Sequence, residues 1–217
     1  MYLENGSRPP TDMVMPQGPQ NLFSIFVHIP FFVFLFIAGR AILRDSDAKP
    51  LLFLLGGLIS IVFEPIADVL GFCYFPSDGQ WVGLAVFDRD IPFFMYAVYS
   101  WFVGGQAYLF YTNFQEGRIT KSGLWSLYGT LILVNAALEL PGLLMGVYTY
   151  YGYQPFQVLG FPLWWPALNP VMPITAGFLA HSLQPHLSGL GHVVFILLVP
   201  IPLAVAIAPG QLWRFSD

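Results

Sequence analysis

The sequence predicts an all-α fold, a polytopic transmembrane helical bundle of about six spans, and three observations carry that expectation. Only 9% of the 217 residues are charged and 56% are hydrophobic, whereas soluble domains carry about a quarter charged residues. So few polar groups cannot cover a water-soluble surface, and the exposed apolar patches would aggregate. Six stretches approach the roughly 20 apolar residues a helix needs to cross the hydrocarbon core: 21–43, 51–75, 91–112, 123–147, 162–182 and 189–208. Trp and Tyr gather near several of their ends, as they do at membrane interfaces. The protein is therefore expected to be an integral, multi-pass membrane protein. Residues 1–20 form a polar tail, 21–208 a single transmembrane domain and 209–217 a short C-terminal tail.

Taken in order, the opening "MYLENGSRPPTDMVMPQGPQ" is polar and proline-bearing. It has no basic start and no early apolar core, so it reads as an extramembrane tail and not as a cleaved signal peptide. The first span, "NLFSIFVHIPFFVFLFIAGRAIL", carries His28 in its outer half. The second contains "FEPIADVLGF", with Glu64 and Asp68 four apart and thus on one helix face. The third holds Tyr96, Tyr99 and Trp101, and the fourth Asn135 and Glu139, again four apart. "YTYYGYQPFQVLGFPLW" follows, aromatic and nearly uncharged, suited to a re-entrant or lid-like loop. The fifth span places Asn169 among Pro166, Pro170 and Pro173, which break a regular hydrogen-bond ladder. The sixth, "HVVFILLVPIPLAVAIAP", is purely apolar after its histidine, and no seventh span is expected.

Arg40, Arg44, Lys49, Arg118 and Lys121 flank the first and third connections, against Arg8, Arg89 and Arg214 on the other side. That bias places the first and third connections in the cytoplasm. Gly56–Gly57 and Gly104–Gly105 allow helices to approach closely. The net charge of −4 with no basic run excludes a nucleic-acid partner. The single cysteine, Cys73, excludes an intrachain disulfide framework and a cysteine-based metal site.

Two segments echo each other about 75 residues apart: "FEPIADVLGFCY" from Phe63 and "LELPGLLMGVYTY" from Leu138. In each a glutamate (Glu64, Glu139) precedes a glycine (Gly71, Gly146) by seven residues, and a proline (Pro65, Pro141) follows the glutamate closely. Each then leads through a loop to a Pro-started helix. A duplicated helix pair explains this, and such repeats are known in membrane proteins; chance similarity of two apolar helices is the alternative. Each proline is expected to disturb the helix four residues before it, at Ile61 and Ala137.

A carboxylate in a membrane span is costly, so it normally faces the bundle interior and marks function. Glu64, Glu139 and Asp68 are therefore the candidate catalytic residues, since a neutral carboxylic acid in an apolar pocket can donate a proton and a neighbour can take it back. The alternative is that they only hydrogen-bond across helices or to kinked backbone. Asn135, Asn169, Tyr96, Tyr99, Trp164, Trp165 and His28 are candidate substrate-binding residues. Asn169 either satisfies carbonyls freed by the prolines or orients a substrate. The aromatics serve either as interfacial belt and packing or as a π-lined wall for a cation. His28 is either a structural hydrogen-bonding group or a base. His181, His186 and His192 lack a partner acid, so no metal site is expected. No nucleophile elbow, phosphate loop or dinucleotide fingerprint occurs. No span contains a lysine, which excludes a retinal Schiff base. Asp78, Asp88 and Asp90 lie in a solvated loop.

An acid-bearing bundle of short loops and this length resembles the small integral-membrane terpene cyclases of the pyripyropene type. The resemblance implies that Glu64 matches their helix-two glutamate. Their last helix also carries an acid, which the sixth span here lacks, and the motif around the glutamate differs. "YTYYGYQPFQVLGFPLWWPALNP" also resembles the carotenoid cyclase and hydratase families through Tyr150, Tyr151, Gly152, Pro162 and Asn169. Together these cover about half the chain. They imply an intramembrane enzyme on a lipophilic isoprenoid, cyclising it by acid initiation without metal or organic cofactor. The expected partners are a lipophilic small molecule, membrane lipid and, in an oligomer, further copies. A proton- or cation-coupled transporter subunit, with the same acids as binding groups, and a structural assembly subunit are the alternative readings.

Overall fold

A computed structural model describes residues 8–202. Helix α1 (Gln17–Asp45) starts after Pro16 and stops at Ser46, whose φ of 53° is left-handed. It begins four residues before the expected span, so residues 17–20 belong to the helix. Gln20, Phe23 and Val27 recur at helical spacing and are buried on one face. Leu22, Phe32 and Phe36 on the remaining faces are exposed, Phe36 by 70%. Pro30 lies inside the helix without interrupting it.

α2 (Lys49–Ser60) has Pro50 in its first turn, where a missing N–H costs nothing. It tightens into a 3₁₀ turn, Ile61–Phe63, and continues as α3 (Glu64–Gly71). The tightening falls where Pro65 was expected to disturb the ladder. Two short strands and a hairpin follow: β1 (Cys73–Tyr74), then β2 (Val82–Val86) and β3 (Arg89–Pro92). The expected third span is one helical run in three parts: α4 (Met95–Val98), a π-helix over Tyr99–Gly105, and α5 (Gln106–Gln115). α6 (Lys121–Leu144) starts at Thr120, whose Oγ1 accepts from Gly123 N at 3.0 Å. Pro141 sits near its end and does not break it.

The loop after α6 contains β4 (Thr149–Tyr150), β5 (Gln157–Val158) and β6 (Phe161–Pro162). The fifth expected span divides at Asn169–Pro170 into α7 (Trp164–Leu168) and α8 (Val171–Leu183). The sixth starts with a 3₁₀ stretch, Gly189–Val193, and α9 (Val194–Leu198). Its remainder, residues 203–208, lies outside the described residues, as do residues 1–7, the tail 209–217 and Arg214.

Among the described residues, three helical segments are long and apolar enough to cross a membrane: Gln17–Asp45, Lys49–Gly71 and Lys121–Leu144. On α6, Trp125 and Leu133 are more than 70% exposed. Apolar surface on this scale calls for an apolar surrounding. The structure is mostly helical, and among the described residues three two-stranded antiparallel pairs stand beside the helices: β1–β4, β2–β3 and β5–β6.

Those strands give the sequence echo a physical form. In both halves the glutamate-bearing helix leads to a short strand, a hairpin and then a new helix. The two short strands pair with each other, Cys73 opposite Tyr150 and Tyr74 opposite Thr149. Both hairpins close with two residues at positive φ, Phe87–Asp88 (54° each) and Leu159–Gly160 (53° and 79°), as the twist of a two-residue turn requires. The helices that follow, α5 and α8, pack on one another.

α2 packs against the π-helix through Gly57 and Gly104. A Cβ on Gly57 would lie 2.7 Å from the Gly104 nitrogen, so only glycine permits this approach. Ser100 Oγ donates to Leu54 O at 3.0 Å across the same seam. The close packing holds the π-helix in place and directs Tyr99 towards α3.

Candidate functional site

α3, the π-helix, α6 and α7 surround a cavity of about 100 Å³ below the β1–β4 pair. Glu64, Asp68, Asn135, Glu139, Tyr99, Trp165 and Asn169 all line it. The two glutamates of the echoed segments thus face one space. Phe23 from α1, Phe75, Phe102, Tyr148 and Tyr150 complete a largely aromatic wall.

Each glutamate receives a tyrosine from a different element. Tyr99 Oη, in the π-helix, donates to Glu64 Oε2. Tyr150 Oη, in β4, donates to Glu139 Oε2 at 2.6 Å. Asn169 Nδ2 donates to Glu139 Oε1 at 2.8 Å and to Asn135 Oδ1 at 3.0 Å. Asn169 therefore neither caps freed carbonyls nor stands alone: it ties α6 to the Asn169–Pro170 break between α7 and α8. Tyr148 Oη donates to the main-chain carbonyl of Glu139 at 2.5 Å. Glu139 is thus held by donors on both carboxylate oxygens, while Glu64 has one side-chain donor, Tyr99, among the described residues. Burial, and next the charge of Glu139, push the Tyr150 phenol well above its ordinary range, so it remains a donor.

Asp68 is 2% exposed. Cys73 lines the same cavity, and Asp68 Oδ2 has no partner among the described residues. Arg89, at the start of β3, is the cation whose field reaches Asp68. Its Nη2 donates to Tyr151 Oη at 2.7 Å, and its guanidinium lies over the rings of Tyr74 and Tyr151 at 5.7 and 5.9 Å.

Trp165 lines the cavity and is 9% exposed, but its Nε1 has no acceptor among the described residues. Its ring occupies the space where a Cβ on Gly71 would be. The left-handed residue that ends α3 is accordingly Phe72 (φ 52°), whereas Gly146 (φ 74°) takes that conformation after α6. Gly71 serves close approach and Gly146 serves the turn, so the matching glycines of the echo have different physical uses.

Three sequence candidates stand elsewhere. Trp164 stacks behind Trp165, ring centroids 4.5 Å apart, and donates from Nε1 to Gln154 Oε1 at 3.1 Å. Gln154 in turn donates to Gly71 O at 2.8 Å, which fastens the loop over the end of α3. His28 and Tyr96 line a separate groove between α1 and the β2–β3 hairpin. His28 Nδ1 is 2.7 Å from Ser24 O, and Tyr96 Oη donates to Gly83 O at 3.1 Å.

Sequence reasoning did not select Cys73, Arg89 and Tyr148, and it noted Tyr150 only through a resemblance. Tyr148 and Tyr150 were within reach, because tyrosine follows the glycine in both echoed segments. Cys73 carried no such signal beyond standing next to that tyrosine. The chain matches no protein-family model, no curated protein and no solved structure.

Proposed function

We propose that the protein is an intramembrane enzyme that starts carbocation chemistry on a lipophilic isoprenoid by proton donation, within a six-span bundle. The observation that carries this reading is that Glu64 and Glu139, from two echoed segments, line one aromatic cavity. Glu64 is the donor. Its carboxyl proton passes to an alkene carbon or to an epoxide oxygen, whose C–O bond opens and leaves a tertiary carbocation. Internal alkenes add to that cation in turn, forming rings, and the final cation loses a proton to Glu139. The net change is isomerisation, and the proton returns from Glu139 to Glu64.

The hydrogen bonds support this division of roles. Donors on both oxygens, Tyr150 and Asn169, favour the ionised form of Glu139. Phe75, Phe102, Tyr148 and Trp165 line the cavity, and aromatic rings attract a passing cation. The cavity of about 100 Å³ admits the reacting end of a chain while the rest runs out between helices towards lipid.

The test is to give membranes carrying the protein a prenylated epoxide and to analyse the products. Cyclised products are expected, and none from a Glu64→Gln, Glu139→Gln double variant. Full turnover by that variant removes the acid mechanism. Proton-coupled uptake in proteoliposomes without any product would favour the transporter reading instead.

A further inference from the structure

The cavity is lined by two residues with buried polar atoms of opposite kind that nothing among the described residues satisfies. Asp68 Oδ2 is an acceptor and Trp165 Nε1 a donor, and both residues line the cavity. A buried polar atom without a partner costs about 1–3 kcal/mol, and native structures leave few of them. Local geometry keeps the pair together. Asp68 and Gly71 are three apart on α3 and share a face, and the Trp165 indole lies directly on Gly71. The stack with Trp164 and the Trp164–Gln154–Gly71 chain of hydrogen bonds keep that indole from turning away to find another acceptor.

We infer that Asp68 and Trp165 form a receptor for one hydroxyl group of the ligand, which accepts from Trp165 Nε1–H and donates to Asp68 Oδ2. The tyrosines and asparagines at the cavity are already engaged. Tyr99, Tyr150, Asn135 and Asn169 are spent on the two glutamates and on each other, and Tyr148 on a backbone carbonyl. The ligand class is thus a lipophilic alcohol whose hydroxyl enters the cavity beside the two glutamates. This deepens the functional reading above and rests on it for the isoprenoid body of the ligand, but the polar pair stands on its own geometry.

The test uses the full chain in lipid nanodiscs and three labelled probes of one skeleton: farnesol, farnesyl methyl ether and farnesene. The retention of each is corrected for partition into empty nanodiscs. The alcohol can accept and donate, the ether can only accept, and the hydrocarbon does neither. Retention is expected to fall in that order, by about five-fold at each step. Trp165→Phe keeps a ring on Gly71 and should remove the preference for ether over hydrocarbon. Asp68→Leu should remove the preference for alcohol over ether. Equal corrected retention of the three probes by the unaltered protein overturns the inference whether or not the variants fold. So does a variant that keeps the thermal midpoint of the unaltered protein yet weakens all three probes by the same factor. No turnover is read in this assay, so absence of cyclised products counts against the enzyme reading alone and the probe ratios count against this one.

Discussion

Replacing Tyr150 by phenylalanine removes a single hydroxyl and keeps the ring that packs 6.1 Å from Phe161 and 6.3 Å from Trp165, centroid to centroid. The lost bond, 2.6 Å from Tyr150 Oη to Glu139 Oε2, falls in the range of O–H donors to a carboxylate. Such bonds contribute about 1.5–3 kcal/mol. If Glu139 ends the reaction as the base, that energy supports its ionised form, and at about 1.4 kcal/mol per decade turnover falls about 10- to 150-fold. Asn169 still holds Oε1, so the loss stays partial. Tyr148→Phe is the matched comparison, because it removes a bond only to the Glu139 main-chain carbonyl; it should cost about 1 kcal/mol of stability and much less rate. The assay is initial-rate product analysis on the prenylated epoxide in membranes, with thermal midpoints of both variants beside it. Equal rates for the two variants at equal stability would refute the reasoning.

Other outcomes follow from the same contacts. Gly57→Ala should lower the thermal midpoint in detergent markedly, by overpacking on the order of 1–3 kcal/mol, because its Cβ meets backbone 2.7 Å away; Gly39→Ala, where nothing lies within 4 Å, should leave the midpoint unchanged. Arg89→Met should destabilise the protein by about 1–3 kcal/mol through the lost bond to Tyr151 and the lost cation over two rings, and a calorimetric midpoint equal to that of the unaltered protein would contradict it. The single cysteine, Cys73, is 6% exposed and lines the narrow cavity, so intact membranes treated with a bulky polymer-linked maleimide should show no mass increase until the protein is denatured.

The part of the site legible in sequence was the part that membrane energetics forces. Glu64 with Asp68, and Asn135 with Glu139, are each one helical turn apart in apolar segments, and such groups must turn inward. Asn169 and Trp165, each left with two readings by the sequence, also line the cavity. Tyr96 and Tyr99 show its limit: they are three apart, and a π-helix starting at Tyr99 sends only that one to Glu64. The π-helix depends on how Gly104 meets Gly57 across the seam, and no local propensity announces it. The hairpins were hidden for a different reason. Phe87–Asp88 is a turn with both residues at positive φ and neither a glycine nor an asparagine, so the usual signal was absent. Trp164 and Trp165 are identical in sequence terms; only the glycine at position 71, distant in the chain, decides which of them reaches the cavity.

The claim on which the account rests is that the carboxyls of positions 64 and 139 meet in one space. It is tested most directly in a Cys73→Ala background carrying Glu64→Cys and Glu139→Cys, treated in membranes with a short bifunctional thiol reagent and read by intact mass. The account predicts one reagent bridging both thiols. Two reagents attached separately, or labelling of one position alone, would contradict it.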